Sequence, residues 1–132
     1  MKTYEGGCCC GRIRFQVEGP EQFSCFCHCQ SCQKAAGGPV VPWTTFAKDR
    51  FRLTSGELAV CHSSPGVTRG FCRDCGTSLT YEHVKRGGDV DIRTTSFDDP
   101  SLFPPRVHIW VEDKAPWLII GDELPQYQKT VT

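Results

Sequence analysis

No apolar stretch in the 132 residues approaches the length needed to span a bilayer, and residues 1–7 carry none of the hydrophobic core of an export signal. The expectation is a soluble, cytoplasmic chain with no membrane partner. Basic residues form no tract, and Lys plus Arg balances Asp plus Glu at 15 each, so the formal charge is zero and nucleic acid is not an expected partner. Internal repeats and interdomain linkers are also missing. At this length one domain over residues 1–132 is expected, with 126–132 as a loose tail. Long helices are not indicated either, because 13 Gly and 9 Pro favour short strands and frequent turns.

Alternation supports a mainly β fold. Ile13, Phe15 and Val17 share one face of a strand over 12–18, with Arg12, Arg14, Gln16 and Glu18 on the other, closed by Gly19-Pro20. Phe23 to Cys27 reads as a second strand and 35–39 as a loop. Residues 40–46 are apolar but contain Pro42, which predicts an edge strand or a bulge. Phe51 to Thr54 and Leu58 to His62 flank Ser55-Gly56 in the manner of a hairpin. Further strands are expected at 67–71, 79–81, around Val90 and Ile92, and along Val107, Ile109 and Val111. Asp98-Asp99-Pro100 can cap a single helical turn, and Trp117 to Ile120 is expected to pack on the sheet.

What the chain has in abundance is cysteine, ten residues in all. Without an export signal, and at such tight spacings, metal ligation explains them better than disulfides. Cys72 and Cys75 form a C-x-x-C-G knuckle, which offers two thiolates to one tetrahedral ion and needs two more. Cys8 and Cys10, a C-x-C-G pair leading into the first strand, can supply them and close a structural zinc site. Cys27, Cys29 and Cys32 can reach a second ion. That site is either open at its fourth position, as catalytic zinc requires, or closed by His28 or Cys25. Seven thiolates and two divalent ions, minus seven and plus four, would take the formal charge to minus three. Cys9 should point away from its neighbours, Cys25 should share the face of Cys27, and Cys61 reads as a buried hydrophobe.

With these motifs in place the sequence resembles the glutathione-dependent formaldehyde-activating enzyme family, also called the GFA/CENP-V family, of Mss4-like fold. The resemblance covers nearly the whole chain. It rests on Gly7-Cys8-x-Cys10-Gly11, Cys27-His28-Cys29-x-x-Cys32, Ser55-Gly56-Glu57 and Arg69-Gly70-Phe71-Cys72-x-x-Cys75-Gly76. Asp98-Asp99-Pro100, His108-Ile109 and Ala115-Pro116-Trp117 extend it. It implies small antiparallel sheets with zinc-binding loops and two Zn²⁺ per chain. One ion would be structural, on Cys8, Cys10, Cys72 and Cys75; the other would be open, on Cys27, Cys29 and Cys32. It further implies a carbon–sulfur lyase type of activity, the reversible addition of a thiol, glutathione among the candidates, to formaldehyde or another small aldehyde.

On that expectation His28 is the candidate for proton transfer. An anionic thiol calls for basic side chains, and Arg12, Arg69 and Arg73 lie near the ligands in sequence, although ordinary solvated arginines account for them equally well. His83, His108 and Trp110 have the same standing. Trp43 and Trp117 are expected in the core before a pocket. Two other functions compete: a non-catalytic zinc-stabilised binding module, and thiol–disulfide chemistry by Cys29 and Cys32, which ligation would suppress.

Overall fold

The computed structural model describes residues 1–131. Ten strands and one short helix follow in the order β1 (Thr3–Gly7), β2 (Arg14–Glu18), β3 (Phe23–Cys27), α1 (Gln30–Ala36), β4 (Val41–Ala47), β5 (Phe51–Ser55), β6 (Ala59–Cys61), β7 (Val67–Phe71), β8 (Ser78–His83), β9 (Asp89–Arg93) and β10 (Val107–Ile109). The architecture is mainly β, as expected. One sheet has the order β1-β2-β5 and is antiparallel. The other runs β10-β3-β4-β9-β8-β7-β6 and is antiparallel except for the edge pair β10 and β3.

The alternation of β2 does what its pattern requires. Phe15 and Val17, with Ile13 before them, are buried against Phe46, Ile92 and Leu79 of the larger sheet. Tyr4, Phe46, Phe97 and Phe103 fill the same layer, the Tyr4 ring meeting Phe103 edge-on at 4.8 Å. The larger sheet is also covered on its other face. There Cys25, Cys27, Val41 and Trp43 pack with Cys32 of α1. Burial on both faces explains why β4 reads as a nearly continuous apolar run.

Several expectations need correction. β4 is an interior strand, not an edge: Pro42 is accepted because pairing with β9 begins only at Trp43, so its missing N–H faces no partner there. The residues around Ser55-Gly56 do not form a hairpin. β5 pairs with β2 in the small sheet, and β6 pairs with β7 in the large one. Gly56 takes φ +76°, and a Cβ there would lie 2.5 Å from the Arg12 carbonyl, so the chain turns tightly against β2 and crosses to the other sheet. β10 stops at Ile109 because Trp110 adopts φ 56°, and Val111–Asp113 forms a 3-10 turn.

Trp117 and Ile119 are 73% and 87% exposed, against the expected packing. The tail from 126 is not loose through 129: His108 N–H donates to Pro125 O, Tyr127 N–H to His108 O, and Trp110 N–H to Lys129 O, all at 2.9 Å. These bonds satisfy the otherwise open edge of β10. Thr132 of that expected tail lies outside the described residues. The turn at Asp98-Asp99-Pro100 forms as expected, with the Asp99 side chain accepting from Ser101 N–H. The helix α1 and the strand β1 were not anticipated.

Candidate metal centres

Cys8 and Cys10 follow β1, and Cys72 and Cys75 lie in the connection from β7 to β8. The four Sγ atoms lie within 4.8 Å of one another. Cys8 and Cys10 are 3.5 Å apart, and Cys10 and Cys72 are 3.8 Å apart. An ion about 2.3 Å from four tetrahedral sulfurs requires edges of roughly 3.8 Å, so this cluster can hold one metal ion. The sulfurs are already aimed by the backbone. Ile13 N–H donates to Cys8 Sγ at 3.3 Å, and the Thr77 hydroxyl lies 3.2 Å from Cys75 Sγ. Hydrogen bonds from the Thr77 side chain and backbone hold the Cys75 thiol down at about 5. Cys8 and Cys72 are buried, while Cys10 and Cys75 face solvent.

Cys27 ends β3, Cys29 is the N-cap of α1, and Cys32 lies in the first turn of that helix. Their sulfurs also lie within 4.8 Å of one another, a second cluster able to chelate a metal ion. Cys32 N–H donates to Cys29 Sγ at 3.3 Å, the usual N-cap hydrogen bond made by sulfur. Hydrogen bonding within the trio drives Cys27 above the ordinary thiol range. Cys32 is held well below it, first by Cys27, then by Cys29, with further help from the Arg69 guanidinium. A deprotonated sulfur at Cys32 is the form a metal binds.

The three cysteines outside the clusters separate cleanly. Cys9 is exposed, its N–H held by the Thr77 hydroxyl at 3.0 Å. Cys25 shares the face of Cys27 but not its cluster, and burial pushes its thiol up to about 12, so it is a neutral packing residue. Cys61 is exposed, not buried, because β6 is the uncovered edge of the large sheet.

His28 is fully buried, and its Nε2 lies 2.8 Å from Nδ1 of His108. Nε2 of His108 in turn lies 2.9 Å from the Asp122 carboxylate. With Asp122 ionised, His108 donates to it and accepts from His28, leaving His28 Nδ1 as an acceptor without a partner. Burial lowers the His28 pKa and keeps the ring neutral. Phe26 stacks on His108 at 4.9 Å, and strand alternation places this group on the face of β3 opposite Cys25 and Cys27.

Sequence reasoning named Arg69 only alongside Arg12 and Arg73, without separating it from them, and missed Arg93. Arg12 and Arg73 are exposed as ordinary arginines are, but Arg69 is only 5% exposed. Its Nη2 lies 3.8 Å from Cys32 Sγ, its Nε donates to Ser63 Oγ at 3.0 Å, and its guanidinium covers the Tyr81 ring at 4.9 Å. Arg93 stacks over Trp43 at 4.8 Å and donates to Ser78 Oγ at 2.9 Å. The register joins Cys25, Trp43, Arg93, Tyr81 and Arg69 on one face of the sheet. A cleft of about 560 Å³ opens between Arg93, the end of α1 and the rim of the four-cysteine cluster. His83 accepts Lys85 N–H as a local cap and Trp43 is a core residue.

The chain matches the model of the family described as glutathione-dependent formaldehyde-activating enzyme over residues 3–113. A Halomonas elongata protein provisionally named as such an enzyme is 28% identical over 127 residues, covering 88% of this chain and 80% of that protein. An uncharacterised lyase of Schizosaccharomyces pombe is 31% identical over 86 residues, 64% of this chain and 61% of that one. The fold is shared with a Rhodobacter sphaeroides protein of known crystal structure, TM-score 0.62 at 19% identity over 71% of this chain and 87% of that one. No helix among the described residues is long and apolar enough to cross a membrane. The family match spans most of the chain and includes all seven clustered cysteines, so this chain belongs to the glutathione-dependent formaldehyde-activating enzyme family.

Proposed function

We propose that the protein is a zinc-dependent enzyme of carbon–sulfur lyase type, adding a small thiol reversibly to formaldehyde or another small aldehyde at Cys27, Cys29 and Cys32. Glutathione is one candidate thiol. The observation that carries this reading is the three-sulfur cluster with no fourth His, Cys, Asp or Glu ligand among the described residues. Neither His28 nor Cys25, the residues able to close it, joins the group. The cluster of Cys8, Cys10, Cys72 and Cys75 is complete by contrast, and in this proposal it is structural.

Zinc held by Cys27, Cys29 and Cys32 would supply an open coordination position that favours sulfur as thiolate. In the forward direction a carbon–sulfur bond forms, the thiol proton ends on the former carbonyl oxygen, and nothing is oxidised. The chain's own groups prepare that step. Cys29 is fixed by the helix N-cap, and hydrogen bonds from Cys27 and Cys29, with the Arg69 charge, lower the Cys32 thiol pKa. Proton transfer by His28 would have to use Nδ1, because Nε2 is held by His108.

The chain from His28 through His108 to Asp122 favours a second role for His28, as a brace that fixes the loop between two ligands from the opposite face. In the brace role, Asp122→Asn weakens metal retention with kcat per bound zinc unchanged. In the proton-transfer role, His28→Gln lowers kcat at full zinc occupancy. The activity itself is tested by exchange NMR of formaldehyde hydrate with S-hydroxymethylglutathione. The wild type should accelerate exchange above the uncatalysed rate, and Cys32→Ser should not. Equal rates for both proteins would refute the lyase reading.

A further inference from the structure

Arginine is rarely buried without a charge to face, because removing a cation from water costs several kcal/mol unless an anion and hydrogen bonds compensate. Arg69 is 5% exposed on β7, between β8 and the edge strand β6 of the large sheet. The group of the three-cysteine cluster that it touches is Cys32 Sγ, 3.8 Å from Nη2, a sulfur that would carry charge as a metal ligand. Asp91, on the same sheet face, is already bound by Arg86 at 2.8 Å and by Thr45 at 2.6 Å. Ser63 and the Tyr81 ring fix the guanidinium in place. Its Nη1, beside Nη2 in the same planar group, is buried and has no partner. One donor of a rigid fork therefore meets the cluster, and the next is unspent.

The charge of the site explains why such a group is needed. A divalent ion on three thiolates carries minus one, and a thiolate as fourth ligand makes it minus two. The four-cysteine cluster would carry minus two as well, but Cys10 and Cys75 face solvent, which screens it. The three-cysteine cluster has Cys27 and Cys32 buried, and water cannot do the same there. A second charge in that setting has to be met by a fixed cation.

We propose that Arg69 is a specificity-determining residue: its guanidinium is the fixed countercharge that makes the three-cysteine centre take an anionic sulfur ligand in preference to a neutral one. The inference rests on the proposed thiol-binding role of that centre and adds which residue selects the thiolate. Arg93, stacked on Trp43 along the same face, lies further along the row and donates to Ser78 instead.

The test uses the full chain loaded with cobalt(II), whose sulfur charge-transfer and ligand-field absorption report its ligands. It is titrated with 2-mercaptoethanol and, separately, with imidazole as a neutral ligand. Arg69→Gln should lower thiol affinity about ten- to a hundredfold, the loss of one hydrogen bond to a charged group, while imidazole affinity stays within about threefold. Arg69→Lys, which keeps the charge, should restore most of the thiol affinity. Arg69→Met replaces the buried ion with an apolar chain that a core accepts and should match Arg69→Gln. The cobalt spectrum of the four-cysteine cluster checks folding in each variant. Unchanged thiol affinity in both neutral variants, or parallel loss of thiol and imidazole, overturns the role of Arg69 alone. A wild type whose spectrum does not respond to the thiol overturns the thiol-binding centre and this inference with it.

Discussion

The two cysteine clusters differ in how much chain they tie together, and that difference sets an expected asymmetry in stability. Cys10 and Cys72 are separated by 62 positions, so an ion in the four-cysteine cluster closes a long loop. The three-cysteine cluster ties only residues 27 to 32. Treating each ion as a cross-link on the unfolded chain, the long loop contributes ~4 kcal/mol of chain entropy and the short one ~2 kcal/mol. The perturbation compares Cys10→Ser/Cys75→Ser with Cys29→Ser, each of which leaves two thiolates. Cys10 and Cys75 are exposed, so the serines carry no burial cost, and Ser at position 29 can still cap α1. The assay is thermal unfolding of reduced, zinc-equilibrated protein followed by circular dichroism. A difference of ~2 kcal/mol corresponds to roughly 8 °C at this size, so the double variant should melt at least that far below Cys29→Ser. Equal melting temperatures, or the reverse order, would refute the assignment of the four-cysteine cluster as the structural one.

Two further outcomes follow from packing and charge. A Cβ at Gly6 would lie 2.3 Å from the Ser96 carbonyl oxygen and 2.5 Å from the Phe15 ring. Gly6→Ala should therefore cost about 1–3 kcal/mol or more in denaturant unfolding, while Gly121→Ala, into open space, stays within about 0.5 kcal/mol. Arg14 donates to both oxygens of Asp98 and holds its carboxyl below the usual range. That contribution is present above the unfolded value, about pH 3.9, and is lost as pH falls through the folded value. Both side chains are more than one-third exposed, so Asp98→Asn should lower stability at pH 7 by at most about 1 kcal/mol. The gap to wild type should close in acid; a gap that persisted at low pH would contradict the ion pair as its source.

What could be read from the sequence was local. Each cysteine motif places its sulfurs within a few residues, so the clusters follow from spacing plus one long-range pairing, and β2 follows from its alternation. Features that depend on distant partners were hidden. The stretch around Ser55-Gly56 has the local form of a hairpin, and only the contact of Gly56 with Arg12 reveals that its strands belong to different sheets. Arg69 looks like any arginine before a knuckle, because its partners Cys32, Ser63 and Tyr81 converge only through the sheet register. His28, His108 and Asp122 are joined across 80 and 14 positions, and no motif signals that join. The tail reads as loose in sequence because its partner, the open edge of β10, exists only once the large sheet is assembled.

On the proposed reading, one chain carries a closed ion and an open, thiol-accepting ion. Elemental analysis of reduced protein before and after mild chelator competition, with and without glutathione, tests it most directly. The expected result is two zinc ions per chain, one released readily and protected by glutathione. One tightly held ion, with no second recovered when zinc is added back, would contradict it.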